Sequence, residues 1–416
     1  MSKRIQVIIG SNYGDEGKGR MTRYFARKGG ASSAVVRFNG GSQAGHTVVH
    51  GDLRHVFSHF GSGSFDNIST ILTKDFVCSP LMFILEAREL AKKGVSDPKV
   101  YVDPKCPITT PWDVFINQAI ERHRGDGRHG SVGVGFGETV NRHGYFYPEF
   151  QLTVEDILHR PTLCMKINAI LGEYLPLRLA ELGLDNVMMG NLRHVYHQYE
   201  LHCREFLEGV TLMDEAEALS KFDNLIFEGA QGLALDQESG DFPHVTRSFT
   251  GVDNVVRVLE DSGIVYDPIN LCYITRPYLT RHGAGPLRDE VGADDLLFET
   301  LKIVDHTNLP QEFQGSLRIA RMNIDDMAAR ITKDQMKVPS QRLGRISLAV
   351  TCVDQIVDAD GFLATVDDET FMFKPDIFAA VTCSKMNATH VFLCHGEEDH
   401  QVVEGEFVDK RIGRRF

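Results

Sequence analysis

The sequence IQVIIGSNYGDEGKG at residues 5–19 decides the fold. Its first five residues are a mostly apolar, β-branched run that predicts a buried strand, and apolar residues recur at helical spacing after residue 19. Four glycines, Lys18 and the carboxylates Asp15 and Glu16 lie between the two elements. Glycines let backbone N–H groups approach an anion, and a helix N-terminus and a lysine add positive potential. The stretch predicts a P-loop-like phosphate loop, although Gly19 after Lys18 departs from the standard P-loop pattern.

The rest of the chain continues the alternation of strands and helices. Further strands are predicted at residues 34–38, 69–72, 224–227 and 271–274. Residues 81–91 have the apolar spacing of a helix. Strands that alternate with helices favour a parallel sheet covered on both faces. We therefore predict an α/β fold: a single large domain over residues 1–416 with a central mainly parallel sheet and a helix-rich insertion at roughly 110–220.

The composition excludes several classes of protein. The 416 residues carry 44 Lys and Arg against 57 Asp and Glu, a net charge of −13, and 42% of them are hydrophobic. A protein that coats nucleic acid needs excess positive charge, and a disordered chain lacks this apolar fraction. The sequence has no signal-peptide core, no run long enough to span a membrane and no CxxC pair among its eight cysteines. We expect a cytoplasmic protein with no nucleic-acid and no membrane partner.

A second glycine-rich loop, RFNGGSQAGHT at residues 37–47, follows the next predicted strand. Because the carboxyl ends of parallel strands meet at one edge of a sheet, Gln43 and His46 are expected close to whatever the first loop holds. Carboxylates repel phosphate, so Asp15 and Glu16 in a phosphate loop indicate a metal ion or a proton-transfer task. We interpret His46, beside a phosphate loop that carries Asp15, as an acid–base residue.

Several motifs resemble those of the adenylosuccinate synthetase family. They are, in chain order, YGDEGKGR at 13–20, the loop at 37–47, a glycine-rich stretch at 130–144, FEGAQG at 227–232, PHVTRS at 243–248 and TRHGAGP at 280–286. The corresponding family elements are WGDEGKGK, RxxGGxNAGHT, a substrate-binding glycine-rich loop, FEGAQG, PYVTSS and TRVGAGP. The resemblance covers most of the chain and thins after about residue 290.

The resemblance implies a ligase that forms a C–N bond in two steps. A nucleoside triphosphate phosphorylates the 6-oxygen of a purine nucleoside monophosphate, and the amine of L-aspartate then displaces the phosphate. The resemblance implies that Asp15 is the base and, with the Gly45 carbonyl, a ligand of Mg²⁺, while His46 is the acid. Gln231 is expected at the purine 6-position. A homodimer is implied as well, in which Arg142 reaches the 5′-phosphate bound by the partner.

By the same resemblance the site residues fall into three groups. Those expected to bind the triphosphate are Asp15, Glu16, Gly17, Lys18, Gly19, Gly45, His46, Thr47 and Asp354. Those expected to bind the monophosphate are Asn12, Gln43, Ser131, Val132, Arg142, Gln231 and Thr246. Those expected to bind aspartate are Gly315, Ser316, Leu317, Arg318 and Arg321. Arginines and backbone N–H groups suit the two carboxylates of aspartate.

Three departures from the family pattern bear on the substrate. Gln43 stands where the family has Asn, and Cys352 replaces the Lys of the donor-base motif TKxD, although Asp354 remains. The loop at 312–321 lacks the usual Gly/Thr-rich turn and arginine run. This form of the loop is similar to the phage and archaeal branch of the family, which includes enzymes that take dGMP and make 2-amino-adenylosuccinate deoxynucleotide. We therefore expect GMP or dGMP as the substrate and ATP, dATP or GTP as the donor, in the host cytoplasm if the chain is phage-encoded.

Three alternatives remain open at this point. An ordinary adenylosuccinate synthetase, which joins aspartate to IMP with GTP, fits the retention of Asp15. A nucleotide-binding switch of the GTPase type fits the first loop but leaves FEGAQG and His46 without a task. A hydrolase is the third, because a site built from two such loops also suits attack by water if the aspartate loop is inert.

Overall fold

The computed structural model describes residues 2–184, 192–308 and 310–407. Its strands are β1 Arg4–Gly10, β2 Ser33–Arg37, β3 His46–His50, β4 Leu53–Phe57, β5 Ser69–Leu72, β6 Val100–Val102, β7 Thr211–Leu212, β8 Asn224–Glu228, β9 Ile269–Thr275, β10 Tyr278–Arg281, β11 Arg318–Asn323, β12 Leu343–Val350, β13 Phe362–Val366, β14 Glu369–Phe373, β15 His390–Cys394 and β16 Val402–Glu406. Its helices are α1 Lys18–Gly29, α2 Pro80–Lys92, α3 Pro111–Arg124, α4 Phe136–His143, α5 Arg160–Ala169, α6 Leu175–Glu181, α7 Leu192–Glu208, α8 Glu215–Ser220, α9 Asp253–Ser262, α10 Leu297–Thr300, α11 Ile324–Gln335 and α12 Pro375–Met386.

The central sheet has ten strands in the order β16-β15-β12-β9-β1-β8-β2-β5-β6-β7. Every neighbouring pair in it is parallel except β15 and β16. The strand at the first loop, β1, therefore lies near the middle, between β8 and β9. The α/β class and the mainly parallel central sheet are confirmed, whereas the extent of a single domain over residues 1–416 stays a prediction.

Side chains alternate across β1 and show how the sheet is covered. Ile5, Val7 and Ile9 join the largest apolar core, while Ile8 faces the opposite side and packs in a cluster with Met21 of α1. Because successive residues of a strand point to opposite faces, a strand that is apolar at every position must be buried on both. This explains why the strand signals are continuous apolar runs.

The region between β6 and β7 holds α3 to α7, and its Trp112, Tyr174 and Phe206 join an apolar cluster that also includes residues of β3, β4, β5 and α2. This confirms the helix-rich insertion predicted at roughly 110–220. Two smaller sheets complete the fold: a β3–β4 hairpin and a four-stranded sheet in the order β10-β11-β13-β14. Within the described part of the chain, the helices are all too short or too polar to cross a membrane.

Candidate functional site

Loops at the carboxyl edge of the central sheet enclose a cavity of about 580 Å³. The loops after β1, β2 and β8 meet there because these strands are neighbours and parallel. The expected site residues that line it are Asp15, Lys18, Gln43, Gly45, His46, Ser131, Val132, Gln231 and Thr246. Its volume falls within the range of roughly 300–1,000 Å³ typical of small-molecule sites. The topology thus brings together residues from both expected nucleotide groups.

Two glycines allow the first loop to pack closely on its neighbours. Gly17 has a φ of 90°, and a Cβ there would lie 2.8 Å from Thr351 Cγ2. A Cβ on Gly19 would lie 3.0 Å from the Thr47 carbonyl oxygen. Any larger residue would force the first loop away from the loops that follow β2 and β12, so both positions require glycine.

Glu16 and Lys18 form a buried pair at the base of the first loop. A Cβ on Gly10 would lie 2.5 Å from Glu16 Oε2 and 3.1 Å from Lys18 Nζ, which places the two charged groups side by side. Burial raises the pKa of Glu16 to about 7 against the opposing charge of Lys18. Burial also lowers the pKa of Lys18, although Glu16 and Asp15 oppose this. The charge of the loop therefore depends on a carboxyl group that titrates near neutral pH.

Asp15 lines the cavity in a left-handed conformation, with a φ of 55°. Its backbone oxygen accepts a hydrogen bond from Arg276 Nε at 2.5 Å, which anchors the turn. Its carboxylate Oδ2 lies 3.6 Å from His282 Nε2, and the other ring nitrogen of His282 is buried without a partner. Such backbone strain persists only where its surroundings fix it, and here they aim a carboxylate into the cavity.

His46 is oriented by a buried carboxylate. Its Nδ1 lies 2.7 Å from Glu228 Oε1, and its Nε2 is buried with no partner. Burial alone would raise the pKa of Glu228, but His46, Arg37 and Ser62 outweigh it and hold the pKa at about 2. Burial lowers the pKa of His46, against the pull of Glu228. An ionised Glu228 accepts a hydrogen bond from Nδ1–H of His46, which leaves Nε2 as the ring nitrogen without a partner.

Two glutamines present free amide atoms to the cavity. Both side-chain polar atoms of Gln43 are buried without a partner, as is Oε1 of Gln231. A Cβ on Gly40 would lie 3.4 Å from Gln43 Nε2 and 3.7 Å from Gln231 Oε1, so the two amides face one point. Unpaired buried polar groups cost free energy, and a ligand with matching donors and acceptors would satisfy them.

The glycine-rich loop after α3 is fixed by hydrogen bonds to that helix. Asn117 Nδ2 donates to Ser131 Oγ at 2.8 Å, and Asn117 Oδ1 accepts from the Gly135 N–H at 3.1 Å. Gln118 Nε2 donates to the Gly133 carbonyl at 3.0 Å. These bonds place Ser131 in the cavity wall that Thr246 also lines.

Arg142 does not line the cavity of its own chain. Its side chain is fully buried, and its guanidinium donates to both carboxylate oxygens of Asp113 at 3.0 and 2.9 Å. It also donates to the carbonyl oxygens of Phe150 and Ile108 at 2.6 and 2.7 Å. Arg142 therefore holds α4 against α3, and its expected contact with a 5′-phosphate bound by the partner subunit stays a prediction.

Asn12 is likewise hydrogen-bonded within the protein. It is 2% exposed, its Nδ2 donates to Glu16 Oε1 at 2.8 Å and its Oδ1 accepts from Arg330 at 2.5 Å. In this chain Asn12 positions Glu16, and its contact with the monophosphate stays a prediction.

Thr47 and Asp354 lie beside the first loop but outside the lining of the cavity. Thr47 Oγ1 donates to Thr307 Oγ1 at 3.2 Å, and Asp354 is exposed at the turn after β12. That turn touches the first loop, because Thr351 Oγ1 donates to the Glu16 carbonyl at 2.8 Å. Burial raises the pKa of the neighbouring Cys352 thiol.

The expected aspartate residues are not brought to the cavity either. Gly315, Ser316 and Leu317 are absent from its lining, where Gln311 and Gln314 stand instead. Arg318 Nε donates to Glu290 Oε1 at 2.8 Å, and Arg321 pairs with Asp295. Acidic residues from the preceding segment pair with both arginines in this structure, and the role of Arg318 and Arg321 in binding aspartate stays a prediction.

Further cavity residues received no role from the sequence. They are His129, His244, Arg247, Arg281 and His282. Three of these, His244, Arg247 and His282, are departures from the family motifs, at positions where the family pattern has Tyr, Ser and Val. These departures are the signal in the sequence that could have identified the three side chains.

The chemistry of the donors fits Mg²⁺ that arrives with a triphosphate. Asp15 and Gly45 both line the cavity and offer a carboxylate and a carbonyl oxygen, the ligands that Mg²⁺ prefers. Among the described residues, no group of three or more His, Cys, Asp or Glu is placed to hold a metal ion. Mg²⁺ usually takes one or two protein oxygens and completes its shell with phosphate and water.

The sequence of this chain is similar to those of known proteins. The adenylosuccinate synthetase family model matches residues 7–308. An adenylosuccinate synthetase from Alkalilimnicola ehrlichii is 32% identical over 72% of this chain and 68% of its own length. One from Neisseria meningitidis serogroup C is also 32% identical, over 70% of this chain and 67% of its own.

Two solved structures share the fold. The fully ligated adenylosuccinate synthetase of Plasmodium falciparum aligns with a TM-score of 0.70 at 16% identity, over 96% of this chain and 99% of that one. The succinoaminodeoxyadenylate synthetase of cyanophage S-2L, solved with dGMP and dATP, aligns with a TM-score of 0.60 at 14% identity, over 97% of this chain and 95% of that one. The extent of the family match and the identity to curated relatives show that this chain belongs to the adenylosuccinate synthetase family of C–N bond-forming ligases.

Proposed function

We propose that this chain joins L-aspartate to C6 of a guanine nucleoside monophosphate, GMP or dGMP, with a nucleoside triphosphate as the energy donor. The observation that carries the choice of guanine is the set of unpaired amide atoms on Gln43 and Gln231. These atoms lie in the same cavity as Asp15 and His46, where the reacting edge of the purine has to be held.

The inventory of donors and acceptors supports guanine over hypoxanthine. The reacting edge of guanine carries one acceptor, O6, and donors at N1 and on the 2-amino group. The cavity offers acceptors at Asp15, Gln43 Oε1 and Gln231 Oε1, and a donor at Gln43 Nε2. Hypoxanthine lacks the 2-amino group and would leave buried acceptors unpaired, at a cost of about 1–3 kcal/mol each.

The protein groups suit the two steps of the reaction. Asp15 takes the N1 proton while O6 attacks the γ-phosphorus of the triphosphate. The nucleoside diphosphate is the leaving group. His46 Nε2, free in the cavity, donates a hydrogen bond to the transferred phosphoryl group when the ring is protonated. The aspartate amine then attacks C6, and phosphate leaves. Mg²⁺, when bound by Asp15 and the Gly45 carbonyl, supplies charge neutralisation at the triphosphate oxygens.

We propose ATP or dATP as donors alongside GTP. Cys352 is too short to pack on a guanine ring as the lysine of the family motif would, which removes a contact favouring GTP. Asp354 and the backbone at residues 15–19 remain as contacts for the donor. A homodimer, expected from the family, is part of this proposal.

A second candidate, IMP, is supported by the curated relatives, which carry the name adenylosuccinate synthetase. The GTPase-like switch and the hydrolase are not proposed, since membership of a ligase family gives the second loop and FEGAQG a task that neither alternative provides.

The test is to supply the full-length protein with aspartate, Mg²⁺ and ATP, dATP or GTP, together with IMP, GMP or dGMP, and to measure the succinyl nucleotide by mass spectrometry. We expect kcat/KM for GMP or dGMP to exceed that for IMP by at least about tenfold. Turnover of IMP alone would overturn the choice of guanine, and turnover of none would overturn the ligase proposal.

A further inference from the structure

We propose that Arg247 binds the 5′-phosphate of the nucleoside monophosphate, and that it does so in the same subunit as Asp15. This inference rests on the proposed function for the identity of the ligand. Arg142 is not part of this cavity wall, since its guanidinium is buried and bonded to Asp113 and two backbone carbonyls.

Arg247 lies on the cavity wall next to Thr246, and its side chain is exposed. Its guanidinium donates to Asn141 Oδ1 at 2.6 Å, a neutral acceptor on α4. No ion pair involves Arg247 among the residues that the structure describes. A guanidinium with a neutral partner keeps its full charge and most of its donors for an incoming anion.

The other cations of the cavity wall are paired with carboxylates, buried, or placed at the first loop. Arg124 pairs with Glu121 at 2.8 Å, and Arg178 pairs with Glu138 at 2.8 Å. Lys18 lies at the first loop against Glu16. Arg281 is 2% exposed and donates to the carbonyl oxygens of Pro286 and His244.

These pairs also set the charge around Arg247. The nearby carboxylate of Glu138 would repel a phosphate, but the two hydrogen bonds from Arg178 neutralise it. At this wall Arg247 is an exposed guanidinium without an ion pair among the described residues, beside the hydroxyl of Thr246 and the loop that carries Ser131. A phosphate dianion needs such a cation together with hydroxyl and N–H donors.

The position of Arg247 in the chain agrees with this role. It stands in PHVTRS, where the family motif PYVTSS has Ser, so a cation has entered the motif in this chain. Arg247 and Asp15 line one cavity of one chain. The contact from Arg247 therefore comes from the same subunit that supplies Asp15.

The test compares a nucleotide with its nucleoside. We expect Arg247→Gln to weaken the binding of GMP, measured by isothermal titration calorimetry, by about 10–100-fold, because a charge-assisted contact to phosphate is lost. Binding of guanosine, which has no phosphate, is expected to stay within about twofold. Arg88→Gln, which removes an exposed arginine paired with Glu205 in the insertion, serves as the matched control and is expected to change neither.

Two further measurements keep the outcomes distinct. Arg247→Lys is expected to recover part of the GMP affinity, because it restores the charge without the planar fork. Mixing Asp15→Asn with Arg247→Gln protein is expected to restore no activity at limiting GMP, since both residues act in one cavity.

Unchanged GMP affinity in Arg247→Gln, or an equal loss for GMP and guanosine, would overturn the proposal, and recovered activity on mixing would overturn its same-subunit part. Absence of turnover in the wild-type protein would instead overturn the proposed function, while the contrast between GMP and guanosine would still report on Arg247.

Discussion

The two ends of the cavity differ in how their polar side chains are held. At the sheet edge, Gln43, Gln231 and His46 keep atoms without partners. At the opposite wall, near α4, the charged side chains of Arg124 and Arg178 are paired with carboxylates. The unpaired atoms at the sheet edge suit a neutral ligand edge that offers hydrogen-bond donors and acceptors, such as that of a base. Arg247 differs from Arg124 and Arg178 because it has no ion pair among the described residues, which suits an anion at that wall.

The largest effect is expected at Asp15, at the sheet edge. Asp15→Asn keeps the shape of the side chain, and Asn tolerates the left-handed backbone at this position. Because the variant cannot accept the N1 proton, we expect turnover to fall by about 10³-fold, as is typical of a lost general base. Binding of GMP by calorimetry should remain within a few-fold, and unchanged turnover would remove Asp15 from the mechanism.

Arg142→Leu tests whether this arginine supports the fold rather than a ligand. Removing one partner of a buried ion pair leaves Asp113 uncompensated, so we expect a loss of about 3–5 kcal/mol in the free energy of unfolding. The measurement is urea denaturation, with Arg247→Gln as the matched arginine control, which should change stability little. Unchanged stability combined with weaker GMP binding would show that Arg142 reaches the phosphate after all.

Glu16 should make stability depend on pH. Its pKa in the folded protein is about 7, above its usual value near 4.5, so the folded state binds the proton more tightly than the unfolded state. The resulting stabilisation is complete below pH 4.5 and is lost as the pH rises to about 7, a change on the order of 3 kcal/mol. Unfolding curves of Glu16→Gln against the wild type should show this difference, and parallel pH profiles would contradict it.

The smallest effect concerns the choice of purine. Gln43→Asn restores the family residue and withdraws the amide by one methylene, so we expect the preference for GMP over IMP, as a ratio of kcat/KM values, to shrink by about tenfold. Gln314→Asn makes the same change elsewhere on the cavity wall and should leave the ratio unaltered. A ratio that does not move in Gln43→Asn would show that the 2-amino group is recognised by other atoms.

The same contrast explains how much of the site was predictable from the sequence. Gln43, His46 and Gln231 follow strands of a parallel sheet, and strand order places such loops together whatever their side chains do. The orientation of the arginines, in contrast, depends on partners that are distant in sequence. Nothing in the segment around Arg142 indicates that Asp113, on a different helix, will bond it.

The aspartate loop shows the limit in a second way. Arg318 and Arg321 were assigned by motif, but Glu290 and Asp295 lie close enough in the fold to pair with them. A long-range ion pair leaves no periodic signal in the sequence, whereas a buried strand does. The fold class could therefore be predicted, while the orientation of surface cations could not.

The contact between Gly17 and Thr351 has a consequence for engineering donor preference. A Cβ at Gly17 would clash with the Thr351 side chain, and Thr351 Oγ1 also donates to the Glu16 carbonyl, so the phosphate loop and the turn that carries Cys352 are packed together. We expect that a graft which exchanges only the turn would disturb the phosphate loop. An attempt to change the proposed donor preference should therefore exchange both loops, although Glu16 and Thr351 are 335 residues apart in sequence.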